Sequence, residues 1–260
     1  SGLACLLLLA HQLKDIDMSK AHTIEFVITR GEEAGLVGAS HLDYSMVKSK
    51  FGLVLDEDGP ITQVPVKAPG YHSFDGRIIG KQVHTREPEI GVNALQVLSD
   101  IIQKTGLGYA CEGVTYNLGV VSGGTARNTV PGEVNFAGEL RSFDNELLTE
   151  TAQKIKTDFE AVCKSHGAEV QFNDFELKFK SYSHKDSDLQ DKLAKIFAKQ
   201  NLKPNFFETF GGTDANVFNA KGIDCVPLGS AYYNAHEHTE YINLQEMQQI
   251  NEFLIEFIQS

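Results

Sequence analysis

The run Phe51-Gly52-Leu53-Val54-Leu55 decides the fold class of this chain. A short, continuous apolar run of this kind is typical of a β-strand that is buried on both faces. Upstream, residues 23–29 alternate between apolar and polar types and predict a second strand, which ends at Gly31. Helical patterns at 1–14 and 35–42 precede and separate these strands. This order predicts an α/β domain whose strands are at least partly parallel.

A different pattern begins after about residue 66. Strands are predicted at 74–83, 115–122, 130–141 and 169–179, and helices at 92–104 and 146–165. The resulting βαββαβ order is that of a ferredoxin-like sandwich. The α/β pattern then returns, with helices at 189–200, 215–221 and 244–258 and strands at 205–208 and 225–228. We therefore predict an α/β domain formed by residues 1–66 and 184–260, with a ferredoxin-like domain inserted at 67–183.

The composition indicates an ordinary folded protein and excludes several partners. The 260 residues are 42% hydrophobic and 22% charged, as in average globular proteins. A net charge of -12 repels nucleic acid and anionic lipid, and no basic patch offsets it. The apolar run at 3–10 is too short to span a bilayer. We expect neither a nucleic-acid nor a membrane partner.

The four cysteines predict free thiols. They contain no C-x-x-C pair, so neither a disulfide framework nor a thiolate zinc site is indicated. Free thiols are typical of a reducing compartment, and a cytoplasmic location follows. The chain starts inside an apolar helix and lacks an initiator Met, so we expect an N-terminal segment to precede it.

Adjacent acids follow the first predicted strand. Glu32 and Glu33 lie at a glycine-containing turn, where α/β sheets place functional side chains. Neighbouring carboxylates repel, and a divalent metal would supply the counter-charge: one acid binds it while the other acts on a water. A solvated helix N-terminus, where Glu is favoured by the helix dipole, explains the pair equally well.

Two further groups strengthen the metal interpretation. Asp56 directly follows the run at 51–55, so a second strand also ends in an acid, whereas Asp58 is better explained by an Asp-Gly turn. His236 lies in a histidine-rich loop near the C-terminus, and neutral imidazole is the commonest metal ligand. A surface loop that merely contains histidines is the competing interpretation.

Other polar motifs have both structural and functional explanations. Gly211, Gly212 and Thr213 precede a helix, where Thr213 or Asp214 can cap it, and the same turn could hold a substrate anion. The nucleotide-binding pattern G-x-x-x-x-G-K-[ST] is absent. Within the insert, a long polar hairpin spans 122–131. His84 and Arg141 each lie at a predicted strand end.

Taken in order, these segments resemble the M20 family of metallopeptidases, and most closely its peptidase T-like tripeptidase branch. The resemblance covers essentially the whole chain, through the following motifs: Gly31-Glu32-Glu33-Ala34-Gly35, Leu55-Asp56-Glu57-Asp58-Gly59-Pro60, Gly80-Lys81-Gln82-Val83-His84, Gly123-Gly124 with Asn128 and Pro131, Glu139-Leu140-Arg141-Ser142, Gly211-Gly212-Thr213-Asp214, and His236 with Glu240. No single motif is specific, but their order and spacing together are.

The resemblance implies a two-zinc aminopeptidase of short peptides, with cobalt or manganese as substitute metals. It makes Glu32 the general base, Glu33 and His236 ligands of one zinc, and Asp56 a ligand of the second. The α/β part is then the catalytic domain.

The resemblance also implies how substrate binds. Arg141, Asn128 and the loop formed by Gly211, Gly212 and Thr213 would hold the peptide's carboxylate and backbone, since Arg suits bidentate recognition of a carboxylate. His84 resembles the family histidine that reaches a neighbouring subunit's site and helps to stabilise the oxyanion. The inserted domain is thus expected to be a lid and to form a homodimer.

One departure from the family concerns the metals. The family's H-x-D motif and the Asp that bridges both metals lie upstream of the helix at 1–14, and this sequence has no counterpart there. We therefore expect this chain alone to bind metal weakly or not at all.

Two alternatives stay open: an M20 amidohydrolase of N-acyl amino acids, and a non-catalytic dimeric module. A serine α/β-hydrolase is disfavoured because no G-x-S-x-G occurs.

Overall fold

A computed structural model describes residues 1–17 and 23–260. The chain forms two compact units. Unit 1 comprises Ser1–Ala68 and Tyr182–Ser260, and unit 2 comprises Pro69–Ser181. Unit 2 is therefore one continuous segment inserted into unit 1. Within the described residues, no helix has the length and hydrophobicity needed to cross a membrane.

The elements are as follows. The first part of unit 1 contains α1 Gly2–Gln12, α2 Val37–Ser40, β1 Phe51–Glu57 and β2 Gln63–Ala68. Unit 2 contains β3 Gly70–Ile79, β4 Val83–His84, α3 Ala94–Thr105, β5 Gly108–Cys111, β6 Val114–Gly123, β7 Thr129–Val130, β8 Glu133–Ser142, α4 Asn145–Ser165 and β9 Glu169–Phe179. The second part of unit 1 contains β10 Tyr182–Ser183, α5 Asp188–Lys199, β11 Asn205–Glu208, α6 Asp214–Ala220, β12 Asp224–Gly229, β13 Tyr232–Tyr233, β14 Tyr241–Ile242 and α7 Leu244–Gln259.

Unit 2 is the predicted ferredoxin-like sandwich. Its sheet has the order β5-β6-β8-β3-β9, and every pair in it is antiparallel. Strand β3 alternates between buried and half-buried residues along its whole length, so one face of the sheet is covered. The core beneath α3 and α4 includes Phe74, Phe136 and Phe159. Asn93 and Asp144 cap these two helices by accepting backbone amide bonds.

Unit 1 is an α/β layer with parallel strand pairs, as predicted. β1 pairs with β12 in parallel, and β2 pairs with β11 in parallel and with β10 antiparallel. Apolar faces of α1, α5 and α7 meet in one core that includes Leu9, Leu193 and Phe253. Fold class is therefore confirmed, with an α/β domain around a ferredoxin-like insert.

The predicted strand at 23–29 is wrong. These residues belong to no strand ladder. Instead, the Glu25 carboxylate accepts hydrogen bonds from the amides of Lys48 and Ser49, at 3.0 and 2.7 Å, and from the Ser49 hydroxyl. A side chain therefore takes backbone donors that a neighbouring strand would otherwise use, which is why the alternating pattern misled the prediction.

Three further expectations need correction. β1 is half-buried rather than buried on both faces, because a cavity of about 340 Å³ borders it. The helix predicted at 35–42 is shortened to α2, since Leu36 lies in the left-handed region with φ of +58° and cannot continue a helix. The insert's first strand stops at Ile79, so His84 lies in the separate strand β4 instead of at the end of β3.

Candidate active site

Glu32 and Glu33 lie in a tight turn that leads into α2. Gly31 and Gly35 have φ angles of +67° and +93°, which glycine adopts without a Cβ clash. The amide of Leu36 donates to the Glu32 carbonyl at 2.8 Å and closes the turn. The turn leaves the Glu33 side chain 75% exposed, whereas Glu32 is half-buried. The two neighbouring acids thus have different environments.

His236 reaches the same turn from the hairpin of β13 and β14. Its Nε2 lies 3.3 Å from Glu33 Oε1, and its own amide donates to the Glu240 carboxylate at 3.4 Å. Two ligands of one tetrahedral zinc, each roughly 2.0–2.2 Å from the ion, are separated by about 3.3 Å. The Glu33–His236 distance therefore fits a shared zinc ion.

Asp56 lies inside β1, one residue before its end, rather than after the strand as predicted. The pairing of β1 with β12 is irregular between Val54 and Glu57, so the strand departs from regular register around Asp56. The pKa of Asp56 is raised to about 6, first by burial and then by the charges of Asp214 and Glu33, while His236 acts in the opposite direction. The pKa of Asp56 therefore depends on the charges of Glu33 and His236, the two residues predicted to bind one zinc ion.

The pKa of Glu32 is raised to about 7, first by burial and then by the charges of Asp56, Glu33 and Asp214. A carboxyl group that titrates near neutral pH can both accept and return a proton under working conditions. The pKa of Glu57 is raised to about 7 in the same way, by burial and then by the charges of Asp58 and Asp56. The site therefore gathers carboxylates that destabilise one another's charged forms.

Asp214 belongs to this cluster, and the sequence analysis considered it only as a helix cap. The cap is in fact Thr213, whose hydroxyl accepts from the Ala215 amide. Asp214 is 5% exposed, and its Oδ2 accepts a hydrogen bond from the Thr29 hydroxyl at 2.5 Å. Its Oδ1 is buried and has no partner within the described residues. The one sequence signal that could have identified Asp214 is its place directly after Thr213, because a helix that Thr213 already caps does not need a further capping acid.

The loop predicted to bind substrate forms hydrogen bonds within the protein itself. Thr213 forms a capping box with Asn216, and the Gly211 amide donates to the Thr209 hydroxyl at 3.1 Å. These contacts fix the shape of the loop at the start of α6. Substrate binding by Gly211, Gly212 and Thr213 stays a prediction.

In unit 2, the structure brings His84 and Asn128 together. His84 of β4 pairs with Thr129 of β7, which directly follows Asn128. The Thr85 amide donates to the Asn128 carbonyl at 3.0 Å, and Asn128 Nδ2 lies 3.5 Å from His84 Nε2. The Arg86 amide also donates to His84 Nδ1 at 3.1 Å. Both side chains are exposed and face the same solvent region.

Arg141 lies in β8 of the same unit and is bound by its neighbours. Its Nε donates to Glu139 Oε1 at 2.9 Å, and its guanidinium lies 4.9 Å from the centre of the Tyr71 ring. Acid and ring hold the guanidinium in a fixed orientation. A substrate carboxylate at this site would compete with Glu139.

Two metal donors converge in unit 1, Glu33 and His236. Across residues 1–17 and 23–260, no group of three or more His, Cys, Asp or Glu side chains is arranged to hold a metal ion. Carboxylate and imidazole are nonetheless the donor types that catalytic zinc uses. The donor chemistry fits zinc, and the Glu33–His236 pair has suitable spacing.

Two family models match the chain. One, described as a peptidase dimerisation domain of M20 type, matches residues 66–171. The other, described as peptidase family M28, matches residues 1–87. The first corresponds closely to unit 2, and the second covers the turn with Glu32 and Glu33 and strand β1.

Among curated relatives, YqjE of Bacillus subtilis is 34% identical over 100% of this chain and 70% of its own length. Peptidase T of Limosilactobacillus fermentum is 24% identical over 99% of this chain and 63% of its own length. Acetylornithine deacetylase of Myxococcus xanthus is 24% identical over 85% and 60%. The chain thus spans roughly two thirds of the length of these relatives.

Solved structures agree. Aminopeptidase PepT of Bacillus cereus matches with a TM-score of 0.90 and 32% identity, over 99% of this chain and 69% of that one. A tripeptidase of Staphylococcus aureus matches with a TM-score of 0.90 and 28% identity over the same shares. With the match to the M20 dimerisation domain and these structural matches over nearly the whole chain, the chain belongs to the M20 family of peptidases, among its peptidase T-like members.

Proposed function

We propose that this protein is a zinc-dependent aminopeptidase that releases the N-terminal residue from short peptides. The observation that supports it best is Glu32, a half-buried acid with a pKa raised to about 7, next to the Glu33–His236 pair. The similarity to solved peptidase T-like enzymes supports the substrate class. Four free cysteines are consistent with the cytoplasmic location that we propose.

In this proposal Glu33 and His236 hold one zinc ion and Asp56 holds the second. When bound, the ions polarise the scissile amide and make a water molecule more acidic. Glu32 takes the proton from that water as it attacks, and then donates the proton to the leaving amine. Burial of Glu32 suits it to both roles, because its pKa lies close to the working pH.

Unit 2 supplies substrate contacts in the same proposal. Asn128 and Arg141 bind the peptide's backbone and carboxylate, together with Gly211, Gly212 and Thr213 of unit 1. His84 of each subunit stabilises the oxyanion in the neighbouring subunit. The bond between His84 and Asn128 supports a joint role, because either side chain orients the other.

We propose that the homodimer forms through the outer edge of β6. Strand β5 covers β6 only up to Tyr116, and Val120 and Val121 beyond it are 60% and 45% exposed. A free strand edge with apolar side chains is suited to pairing with a second copy. We expect Val120→Lys to convert the dimer to a monomer in light scattering after gel filtration, whereas Tyr109→Lys on β5 leaves the mass unchanged.

Substrate class is tested by turnover of tripeptides against N-acetyl amino acids. We expect tripeptide hydrolysis, and Glu32→Gln lowers kcat by about 10²–10⁴-fold because it removes the proton-transfer group. The relatives named acetylornithine deacetylase and N-acyl-L-amino acid amidohydrolase favour a second candidate, an amidohydrolase. Turnover of N-acyl compounds alone would establish that candidate, and turnover of neither in the presence of saturating zinc would indicate a non-catalytic module.

Zinc binding is tested by calorimetric titration of the 260-residue chain. Two converging donors, Glu33 and His236, hold zinc more weakly than the three or four donors of catalytic and structural sites. We expect weak binding that His236→Ala abolishes. Tight binding of two ions per chain would contradict this expectation.

A further inference from the structure

Asp214 is a buried acid that neither helix capping nor the proposed reaction uses. Thr213 and Asn216 already form the capping box of α6, so the Asp214 carboxylate is not needed there. Burying an ionisable group with few partners costs free energy. Such a group at the edge of the candidate site calls for a function.

The Asp214 carboxylate binds Thr29, which lies 185 residues away in the chain. Thr29 directly precedes the turn of Glu32 and Glu33. The turn itself is held by local backbone bonds: the Val37 amide donates to the Gly31 carbonyl at 3.1 Å and the Gly38 amide to the Arg30 carbonyl at 2.9 Å. These bonds join the turn to α2, which follows it directly, but not to any element distant in the chain.

Attachment of the turn therefore depends on contacts with other elements. Residues 23–36 belong to no strand ladder, so sheet pairing does not fix their position. The Thr29–Asp214 bond joins this segment to the first turn of α6. Two other contacts lie near it: Glu33 Oε1 is 3.3 Å from His236 Nε2, and the Tyr44 and Phe218 rings meet at 6.2 Å. The Glu33–His236 pair is largely exposed, whereas the Thr29–Asp214 bond has a buried partner close in sequence to the turn.

We propose that Asp214 is a positioning residue, which holds the Glu32–Glu33 turn in place through the Thr29 hydroxyl. This inference rests on the proposed function only for the importance of the turn. The bond itself and its effect on the turn are properties of the folded chain, and can be measured without substrate or metal.

Hydrogen exchange followed by mass spectrometry tests the proposal. Thr29→Val removes the hydroxyl and keeps the branched shape, and we expect the amides of residues 31–38 to exchange about tenfold faster. Thr29→Ser keeps the hydroxyl and should restore exchange to within about twofold of the original protein. Asp214→Asn keeps an acceptor for Thr29, so it should resemble Thr29→Ser. Peptides from α4, in unit 2, serve as the control and should not change.

Unchanged exchange at 31–38 in a folded Thr29→Val protein would overturn the proposal. If that variant does not fold, NMR of the original protein decides. The half-buried Thr29 hydroxyl is bonded to a carboxylate, which slows its exchange, so its proton should be visible and should shift in Asp214→Asn. Absence of a slowly exchanging Thr29 hydroxyl would also overturn the proposal.

Turnover separates this inference from the proposed function. If tripeptides are hydrolysed, Thr29→Val should lower kcat about tenfold or more with little change in KM, and Thr29→Ser should recover it. If they are not hydrolysed but exchange at 31–38 behaves as expected, the proposed function fails and the positioning role of Asp214 stands.

Discussion

The half-buried acids of the two units have opposite surroundings. In unit 2, burial opposes ionisation of Asp158, but bonds from Lys104 and Lys154 outweigh it and lower the pKa. In unit 1, burial and neighbouring acids act in the same direction and raise the pKa of Glu32 to about 7 and of Asp56 to about 6. In unit 2 the acid is paired with lysines, whereas in unit 1 the acids lie close to other acids.

This difference concerns the stability of each unit and its suitability for binding a positively charged ligand. An acid paired with lysine stabilises the fold in which the pair occurs. Acids placed together without cations destabilise the fold unless a ligand supplies positive charge. The location of these acids therefore supports the proposed functional region independently of any motif.

The largest expected effect concerns the core of unit 2. Phe74 is 1% exposed and packs against Tyr116, Phe136 and Phe159. We expect Phe74→Ala to lower the free energy of unfolding by about 3–5 kcal/mol, measured by urea denaturation. Tyr109→Ala, at an exposed position of the same unit, should change it by less than about 0.5 kcal/mol. A small effect at Phe74 would mean that unit 2 is not the stably packed partner in the comparison.

The next effect concerns the unpaired acids. The folded pKa of Glu32, about 7, lies above its ordinary value of 4.5, so the folded state holds more protons between these two values. The contribution of Glu32 to stability is therefore present at low pH and is lost as pH rises through 7. We expect Glu32→Gln to stabilise the protein by about 1–2 kcal/mol at pH 8, measured by urea denaturation with a chelator.

At pH 4 the same substitution should have little effect, because Glu32 is protonated in both states. Glu252→Gln, at an exposed acid of α7, is the matched control and should show neither the gain nor its pH dependence. Destabilisation by Glu32→Gln at pH 8 would break the comparison, since it would mean that the acid is stabilising.

The smallest effect concerns the paired acid of unit 2. Asp158 lies 3.0 Å from Lys104 Nζ and 3.2 Å from Lys154 Nζ. Its folded pKa is lowered, so its contribution is present above pH 3.8 and is lost as pH falls through the folded value. We expect Asp158→Asn to cost about 0.5–1 kcal/mol at pH 7 and less at pH 2.

Glu150→Gln, at an exposed position on the same helix, is the control in urea denaturation and should be neutral. If Asp158→Asn lowers the free energy of unfolding equally at both pH values, the effect is due to packing. Asp158 would then no longer be an example of an acid stabilised by lysines in unit 2.

The sequence predicted unit 2 better than unit 1, for a physical reason. The helix expected at 146–165 is observed as Asn145–Ser165, because capping and periodicity are local properties. The strand expected at 23–29 is absent, because strand formation needs a partner that the pattern does not reveal. Strand β2 was not predicted, since Pro65 interrupts its pattern, yet long-range pairing with β11 includes it.

The residues of the candidate site also differ in how well the sequence predicted them. Glu32, Glu33 and His236 were selected from motif order, and the structure places the last two 3.3 Å apart. Asp214 could not be selected in this manner, because its significance depends on Thr29, a residue 185 positions away. Motif order therefore identified Glu33 and His236, which meet across the fold, but not a residue whose proposed role depends on one hydrogen bond outside the motifs.

The pairing of β2 with β10 has a consequence for the order of folding. Ala68 and Tyr182 are register partners at the two ends of the insert, and Tyr71 pairs with Phe179 just inside it. Once unit 2 has folded, a loop of more than 100 residues is already closed, and the halves of unit 1 meet without a further entropy cost for closing that loop. We expect pulse-labelled amides of β3 and β9 to become protected before those of β1 and β12, so that the insert assembles the domain around it.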